Sequence, residues 1–385
     1  MKHLVSCLAA LMLVPGLIWF FGYRDVTRPP RLTAEEFARL DLASAMEKLA
    51  DATVAGGAPG VVLLVQQGGA QVVKTAGTAN KASDAPMPTD HPLRMASISK
   101  LYTAAVIHSL IEEGRLELDS KIAEILHPDV LAGLHNGGDI TVRHLLLHQS
   151  GIPDYSDARH YFFGDWKDAP LTLARTLPVS KRGNSSVTAG ARFEYSSMGY
   201  ILLGEVAEVV SGEPLSALIA RYISGPLGHT QTSYNLKHPV TESIHGYGTL
   251  LRPWADTWDL WAHSGPDAGV MAPAQEIAEF LAALFFADGA LESIGKAMLA
   301  EEIGSNSKSQ KQALGPQVIL GSNDLSLIGH SGDVFGYQSV AFAVPAHGYV
   351  FVGHLNCDCD ALSGSMPGNF VRIQSAIRRN VVAAP

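Results

Sequence analysis

Strand-like segments stand near both ends of this chain, and helical patterns fill its middle. Residues 61–65 and 71–74 are rich in β-branched side chains and flank Gln67-Gly68-Gly69, which predicts a hairpin. Four more strand-like runs follow Ala272, at residues 318–320, 325–328, 338–344 and 349–354. Because strands must pair to satisfy their backbone groups, this order predicts an α+β fold with one antiparallel sheet built from distant segments.

Helical patterns and composition define the rest of the organisation. Residues 40–50 predict a first helix and residues 368–379 a closing one, while about 112–265 is helical and loop-rich. Residues 24–39 contain Pro and Arg and predict a linker. With 385 residues, 47% of them hydrophobic and 17% charged, the chain can bury one large core. Its net charge of −9 argues against a nucleic-acid partner.

Ser97 and Lys100 open a long apolar run that predicts a helix. Positions i and i+3 share one helix face, so the ammonium of Lys100 can reach the hydroxyl of Ser97. Burial lowers the proton affinity of a Lys, which could then activate the Ser as a nucleophile. A Ser that only caps a helix is the alternative, and the spacing alone does not separate the two.

The same Ser-x-x-Lys spacing occurs twice more, and context selects among the copies. Ser305 lies in a polar stretch, 304–312, that predicts an exposed loop. Ser293 is followed by Gly295, which weakens a first helical turn. Only Ser97 opens an uninterrupted apolar helix, so it is the candidate nucleophile.

Two later segments can complete such a site. Tyr195 stands in a polar turn that runs directly into an apolar helix, where a phenol can relay a proton or simply pack. Gly329-His330-Ser331-Gly332-Asp333 precedes a strand-like run, and the amides of Asp333 and Ser97 can form an oxyanion hole. A second His-Ser-Gly, at 263–265, precedes Pro266, which has no N–H to offer.

In the order Ser-x-x-Lys, Tyr-Ser-Ser and His-Ser-Gly, the chain resembles the serine β-lactamase and penicillin-binding-protein superfamily. It looks most like the branch of class C β-lactamases, D-alanyl-D-alanine carboxypeptidases, D-aminopeptidases and related esterases. Segments 145–153, 226–232 and 268–272 also fit this branch. The resemblance spans about 40–380 and implies an antiparallel sheet flanked by helices, with an inserted all-helical lobe at about 112–265.

The resemblance also implies a serine hydrolase that works through an acyl-enzyme, without a cofactor or metal, on a small-molecule or peptide substrate. Ser97 would attack a carbonyl and Lys100 would take its proton. Tyr195 would deliver a proton to the leaving group, while the amides of Ser97 and Asp333 hold the oxyanion. The matching substrate-binding positions are Ser197, His330, Ser331 and Gly332.

Two positions depart from the family pattern and bear on the substrate. Tyr-x-Asn is replaced by Tyr-Ser-Ser, so Ser197 lacks the amide that grips the catalytic Lys and an acylamino side chain. His330 stands where Lys is usual, and a neutral imidazole attracts a carboxylate less than an ammonium does. No separate Glu-bearing loop of the class A type is visible, so deacylation falls to Tyr195 and Lys100. We expect ester or D-amino-acid amide or peptide cleavage; a class C-like β-lactamase and a non-catalytic binding or scaffolding protein are the alternatives.

Residues 1–23 predict a membrane segment. Lys2 precedes an uncharged apolar stretch, 4–23, whose length of roughly 30 Å matches a bilayer core. Trp19-Phe20-Phe21 suits a membrane interface, and no Ala-x-Ala follows closely. Pro15-Gly16 keeps a cleaved signal peptide as the alternative. We expect an uncleaved anchor, with the catalytic domain on the exported, periplasmic or extracellular, side.

Cysteine and histidine spacing suggests no metal site. Cys357 and Cys359 lie too close together to join distant loops, so packing or a local disulfide is expected rather than a metal or redox role with His354. His144 and His148 show helical i, i+4 spacing without the acidic residue of the zinc-protease motif, and we interpret them as structural.

Overall fold

The computed structural model describes residues 40–155, 171–183, 185, 187–235, 244–248, 255–259, 264–321 and 326–357. The predicted anchor at 4–23, the linker at 24–39 and the predicted helix at 368–379 lie outside these ranges. Among the helices of the described part, none has the length and apolarity that a membrane crossing requires.

Strands from the two ends of the described chain are neighbours in one large sheet. In chain order the strands are β1 (Gly60–Gln67), β2 (Ala70–Asn80), β3 (Ala85–Pro86), β4 (Leu93–Arg94), β5 (Ser233–Tyr234), β6 (Tyr247–Gly248), β7 (Ala255–Asp256), β8 (Val270–Ala272), β9 (Glu302–Gly304), β10 (Gln310–Ala313), β11 (Gln317–Leu320), β12 (Ser326–Val334), β13 (Tyr337–Val344) and β14 (Tyr349–Leu355). Nine of them form a sheet in the order β3-β2-β1-β14-β13-β12-β11-β10-β9. Its pairs are antiparallel, and β1 pairs with β14 in the register Val61↔Leu355. The predicted sheet of distant segments is therefore confirmed.

Helices cover both faces of this sheet. In chain order they are α1 (Leu42–Ala55), α2 (Ser99–Glu112), α3 (Pro128–Leu131), α4 (Val142–Leu146), α5 (Leu173–Arg182), α6 (Ser197–Ser211), α7 (Leu215–Ile219), α8 (Gly225–Leu227), α9 (Ala274–Phe285) and α10 (Glu292–Met298). A π-helical turn, Ala220–Ser224, joins α7 to α8.

Strand β1 shows why the sheet needs a layer on each side. Val62 and Leu64 pack in the core that contains α2, α6 and α9, whereas Val61, Leu63 and Val65 pack in a second core with α1. Successive side chains of a strand point to opposite faces, so both faces of β1 are buried. Burying each such Val or Leu contributes about 1.5–3 kcal/mol. The continuous apolar run of β1 is the sequence signature of this position.

Several sequence expectations need correction in detail. The first helix runs from Leu42 to Ala55, and Asp41 caps it by accepting from the Ser44 amide at 2.8 Å. The predicted loop at 304–312 contains most of β10, whose backbone pairs with both β9 and β11.

The interval 112–265 is not helical throughout. Strand β5 joins β4 and β8 in a three-stranded sheet, and β6 pairs with β7. The two small sheets pair backbone N–H and C=O groups of β4 to β8, in segments that lie outside the large sheet.

Candidate active site

Ser97 lies in a 3₁₀ turn, Ala96–Ile98, directly before α2. Ala96 has a φ of 49°, a left-handed conformation that costs a non-glycine residue of order 1–3 kcal/mol and is typical of functional sites. Two buried serines fix the turn. Ser339 on β13 donates to the carbonyl before the turn at 2.9 Å, and Ser99 accepts from the first amide of β8 at 3.0 Å.

The three predicted catalytic side chains meet at the hydroxyl of Ser97. Lys100 Nζ donates to Ser97 Oγ at 3.0 Å, and Tyr195 OH donates to the same oxygen at 3.1 Å. Lys100 is fully buried, while Ser97 and Tyr195 are partly exposed. Ser197, at the start of α6, accepts from Lys100 Nζ at 3.4 Å. Segments almost a hundred residues apart thus converge on one oxygen atom, in the way the motif order predicts.

The protonation of Lys100 differs from the sequence expectation. Burial alone lowers the pKa of Lys100, as predicted, but the neighbouring groups Tyr195 and Asp267 outweigh it and leave the pKa above its usual value. The prediction that burial would leave Lys100 readily deprotonated is therefore wrong in direction. At neutral pH the group next to Ser97 is an ammonium, and it must lose its proton before it can act as a base.

Tyr195 rests on a buried imidazole. The rings of His148 and Tyr195 stack with centroids 4.3 Å apart. His148 Nδ1 accepts from the Ser196 amide at 3.2 Å, and burial together with Lys100 keeps the pKa of His148 well below its usual value. A neutral ring fixed by the backbone thus packs against the ring of Tyr195, whose hydroxyl donates to Ser97. The structural interpretation of His148 is consistent with this position, and His144 closes a capping box with Thr141 on α4.

The His-Ser-Gly-Asp segment forms the end of β12. His330 is buried, with its ring centroid 6.4 Å from that of Tyr195, and its Nδ1 donates to the carbonyl of Ser331. Burial and the nearby Lys100 lower the pKa of His330 to about 3, so this imidazole is neutral. The side chains of Ser331 and Asp333 are exposed, because alternate residues of a strand face opposite ways.

The amide of Asp333 faces the edge of β12 that lies opposite to β13. The Ser331 amide donates to the side chain of Gln317 on β11, away from β13, at 3.4 Å. Alternate amides of a strand point to the same edge, so the Asp333 amide points the same way. The pairing of β11 with β12 ends at Gly329, and this part of β12 lies beside the Ser97 turn, since a Cβ on Gly332 would meet Met95 and Ala96. The Ser97 amide lies in a first helical turn, where amides have no intrahelical partner.

The competing copies of the motifs lie elsewhere. Ser293 and Lys296 are exposed on α10, where Lys296 pairs with Glu292 at 2.9 Å. Lys308 is exposed in the turn between β9 and β10. In the second His-Ser-Gly, Ser264 accepts from the amide of Leu171 at 2.7 Å, and residue 263 lies outside the described part.

A family model with the description "Beta-lactamase" matches residues 43–362 of this chain. The chain belongs to the Beta-lactamase family.

Curated relatives within the superfamily agree with this assignment. The chain is 27% identical to "Penicillin-binding protein 4" of Amycolatopsis lactamdurans over 228 residues, which are 58% of this chain and 58% of that protein. It is 26% identical to "D-alanyl-D-alanine-carboxypeptidase/endopeptidase AmpH" of Escherichia coli K12 over 206 residues, 53% of this chain and 51% of that protein. The chain thus spans about half the length of the curated relatives it matches.

Solved structures share the fold over most of the chain. A D-amino acid amidase from Ochrobactrum anthropi SV3 superposes with a TM-score of 0.76 at 23% identity, covering 88% of this chain and 99% of that one. A D-stereospecific amidohydrolase from Streptomyces gives a TM-score of 0.73 at 28% identity, covering 82% and 94%. The expected α+β fold of the superfamily is confirmed.

In this member of the Beta-lactamase family, sequence reasoning missed two residues at the site. Asp267 lies with its carboxylate 3.8 Å from Lys100 Nζ, and the hydroxyl of Tyr155 donates to that carboxylate at 2.8 Å. The available signal was a single charged residue, Asp267, between Pro266 and the apolar Ala-Gly-Val-Met-Ala segment. A lone Asp in a turn is usually solvated, so this signal alone did not indicate a buried acid.

The cysteine prediction is tested in part. Cys357 is buried and disulfide-bonded. Cys7 and Cys359 lie outside the described residues, and His354 is buried on β14. Within the described ranges, no cluster of three His, Cys, Asp or Glu residues is arranged to hold a metal ion.

Proposed function

We propose that this chain is a serine hydrolase that forms an acyl-enzyme on Ser97 and cleaves an ester or a D-amino-acid amide or peptide. The observation that carries the proposal is the pair of contacts at Ser97 Oγ, with Lys100 Nζ at 3.0 Å and Tyr195 OH at 3.1 Å. Nucleophile and base within hydrogen-bond reach are the geometric requirement for such catalysis.

Proton movements in this scheme balance without any added group. When Lys100 is neutral, its Nζ takes the proton of Ser97 as Oγ attacks the carbonyl carbon. Tyr195 gives its phenolic proton to the leaving oxygen or nitrogen as the bond to the acyl group breaks. Lys100 Nζ and Tyr195 OH both contact Ser97 Oγ, at 3.0 and 3.1 Å, so the proton taken by Lys100 has a short path to the phenolate. The proton of Ser97 has then moved to the leaving group, and water reverses the sequence in deacylation.

Two backbone amides supply the oxyanion hole in this proposal. The amide of Ser97 belongs to a first helical turn, and the amide of Asp333 lies on the edge of β12 that faces away from β13. Donors of this kind stabilise the tetrahedral oxyanion, and removal of one such donor in another hydrolase costs roughly 100- to 1000-fold.

The substrate preference follows from two groups that the site lacks: a cation for a substrate carboxylate and an amide for an acylamino side chain. His330 is neutral because its pKa is about 3, and Ser197 has a hydroxyl where the family pattern has an amide. Relatives named "Esterase EstB", of Burkholderia gladioli, and D-amino acid amidase are among the similar proteins. These features favour esters and D-amino-acid amides over cephalosporins.

For its location, the proposal adds that the hydrolase domain is exported and held at the membrane by residues 4–23. The support is the charge-free apolar stretch of bilayer length. Relatives with cell-wall names, such as the carboxypeptidase AmpH, are consistent with a role outside the cytoplasm.

The decisive experiment is covalent labelling followed by peptide mass spectrometry. Purified protein is treated with a fluorophosphonate, and the adduct is located. We expect one adduct, on Ser97, which Ser97→Ala removes and which the matched variants Ser293→Ala and Ser305→Ala retain. An adduct on either of those serines, or none at all, overturns the proposal.

A further inference from the structure

A second buried charge lies beside Lys100. The Asp267 Oδ2 atom is 3.8 Å from Lys100 Nζ, and the Asp267 carbonyl accepts from the same nitrogen at 3.3 Å. The side chains of Lys100 and Asp267 are 0% and 4% exposed. Water therefore screens this pair very little.

The neighbouring residues hold the Asp267 carboxylate in place. Tyr155 OH donates to its Oδ2 at 2.8 Å, and Thr103 on α2 donates to the carbonyl of Pro266 at 2.6 Å. The bond from Thr103 ties the segment to α2, one helical turn after Lys100. The carboxylate oxygen that accepts from Tyr155 is the same one that faces Lys100.

We propose that Asp267 is a positioning residue that holds Lys100 as an ammonium in the resting protein and so sets the pH above which Ser97 becomes nucleophilic. This inference rests on the proposed serine hydrolase function. In this proposal the Asp267 carboxylate holds Lys100 in place, because the hydrogen bond from Lys100 to Ser197 is long, at 3.4 Å.

The balance of charges around Lys100 supports this assignment. Burial disfavours the ammonium, whereas Tyr195, Asp267 and, more weakly, Asp154 favour it, and the net pKa of Lys100 is raised. Among the described residues, the other groups that face Lys100 or Asp267 are Tyr200, Tyr155, Tyr234, His148 and His330. The two histidines are neutral because burial lowers their pKa values, and burial raises those of Tyr200 and Tyr234.

The sign of the expected effect follows from this balance. Burial raises the pKa of Asp267, and Lys100 and Tyr155 oppose that rise. When Asp267 is ionised it stabilises the charged form of Lys100. An uncharged Asn at this position therefore lets Lys100 lose its proton at lower pH, and Ser97 becomes reactive at lower pH.

The test measures the rate of Ser97 labelling by a fluorophosphonate as a function of pH, in wild type, Asp267→Asn and Asp267→Glu. We expect the midpoint of the acid limb to move down by about one pH unit or more in Asp267→Asn, the size typical of a charge within about 4–6 Å. Asp267→Glu keeps the charge and should stay near the wild-type midpoint. Asp139→Asn, an exposed residue paired with Lys121, controls for a change in net charge.

The labelling results separate a failure of this inference from a failure of the hydrolase proposal. If wild type labels at Ser97 and Asp267→Asn keeps its midpoint, this inference is overturned while the hydrolase proposal stands. If wild type shows no labelling at Ser97 at any pH, both fail. Should Asp267→Asn not fold, as judged by thermal unfolding, the smaller uncharged variant Asp267→Ser replaces it. This variant also removes the carboxylate, so we expect the midpoint to move in the same direction, and an unchanged midpoint overturns the inference.

Discussion

Replacing Gly332 with Ala should slow the acylation of Ser97 far more than it destabilises the fold. Gly332 lies on β12 where this strand passes the Ser97 turn. An ideal Cβ at this position would lie 2.3 Å from the Met95 carbonyl oxygen, 2.5 Å from Ser339 Oγ and 3.0 Å from Ala96 Cβ. The new methyl group therefore meets the backbone of the turn and the hydroxyl that anchors it.

The size of the effect follows from these distances. The contact with Met95 is more than ~1 Å shorter than a normal separation of about 3.5 Å, so the turn and β12 must move apart. A displacement of about 1 Å in a catalytic arrangement can cost roughly 100-fold in rate. Overpacking of this kind typically costs about 1–3 kcal/mol in stability. The Asp333 amide, one residue further along β12, would move with the strand.

A matched glycine serves as the control. Gly304 ends β9, and a Cβ built there has no heavy atom within 4 Å. Ser97 labelling rates and thermal unfolding are measured for Gly332→Ala and Gly304→Ala. We expect labelling to fall about 100-fold in the first variant alone. If Gly332→Ala labels within threefold of wild type, the close packing of β12 against the Ser97 turn does not govern reactivity and the reasoning fails.

Three further predictions concern the base, the substrate and the N-terminal segment. Lys100→Ala should slow Ser97 labelling by a factor on the order of a thousand or more. Its circular dichroism spectrum should match that of wild type. Residual labelling within tenfold of wild type would assign the base role to another residue. The kcat/KM for a chromogenic ester should exceed that for a chromogenic cephalosporin, because His330, with a pKa of about 3, is uncharged near neutral pH; the reverse order would favour a β-lactamase. Intact mass of protein recovered from membranes should include residues 1–23, and protease should cut the domain in whole spheroplasts; a chain that starts after Tyr23 contradicts the anchor, and protection contradicts export.

Local patterns predicted the parts of the site that depend on nearby residues. The contact between Ser97 and Lys100 follows from helical spacing over three positions, and the hairpin of β1 and β2 follows from two glycines between apolar runs. The family resemblance predicted that Tyr195 and the end of β12 belong to the same site. Each of these predictions used residues that are close together in the sequence, within one helical turn, one hairpin or one motif.

Properties that depend on distant packing were not predictable in this way. Tyr195 and Asp267 together raise the pKa of Lys100, and Asp267 is separated from Lys100 by 167 residues. The stacking of His148 on Tyr195 is likewise a tertiary contact, although the i, i+4 spacing with His144 drew attention to this residue. Burial alone predicts a lowered pKa for a Lys, and only the structure reveals the charges that reverse its sign.

The anchoring of the Ser97 turn by β13 has a consequence for how the chain is made. The bond from Ser339 to Met95 joins residues 244 positions apart. At about 5–20 residues per second, synthesis of that interval takes roughly 12–50 s. Throughout this time a nascent chain carries Ser97 without the Asp333 amide or the anchoring hydroxyl. The site around Ser97 is thus complete only after β12 and β13 have been synthesised, so fragments that stop before Asp333 lack both the second oxyanion-hole amide and the anchoring hydroxyl.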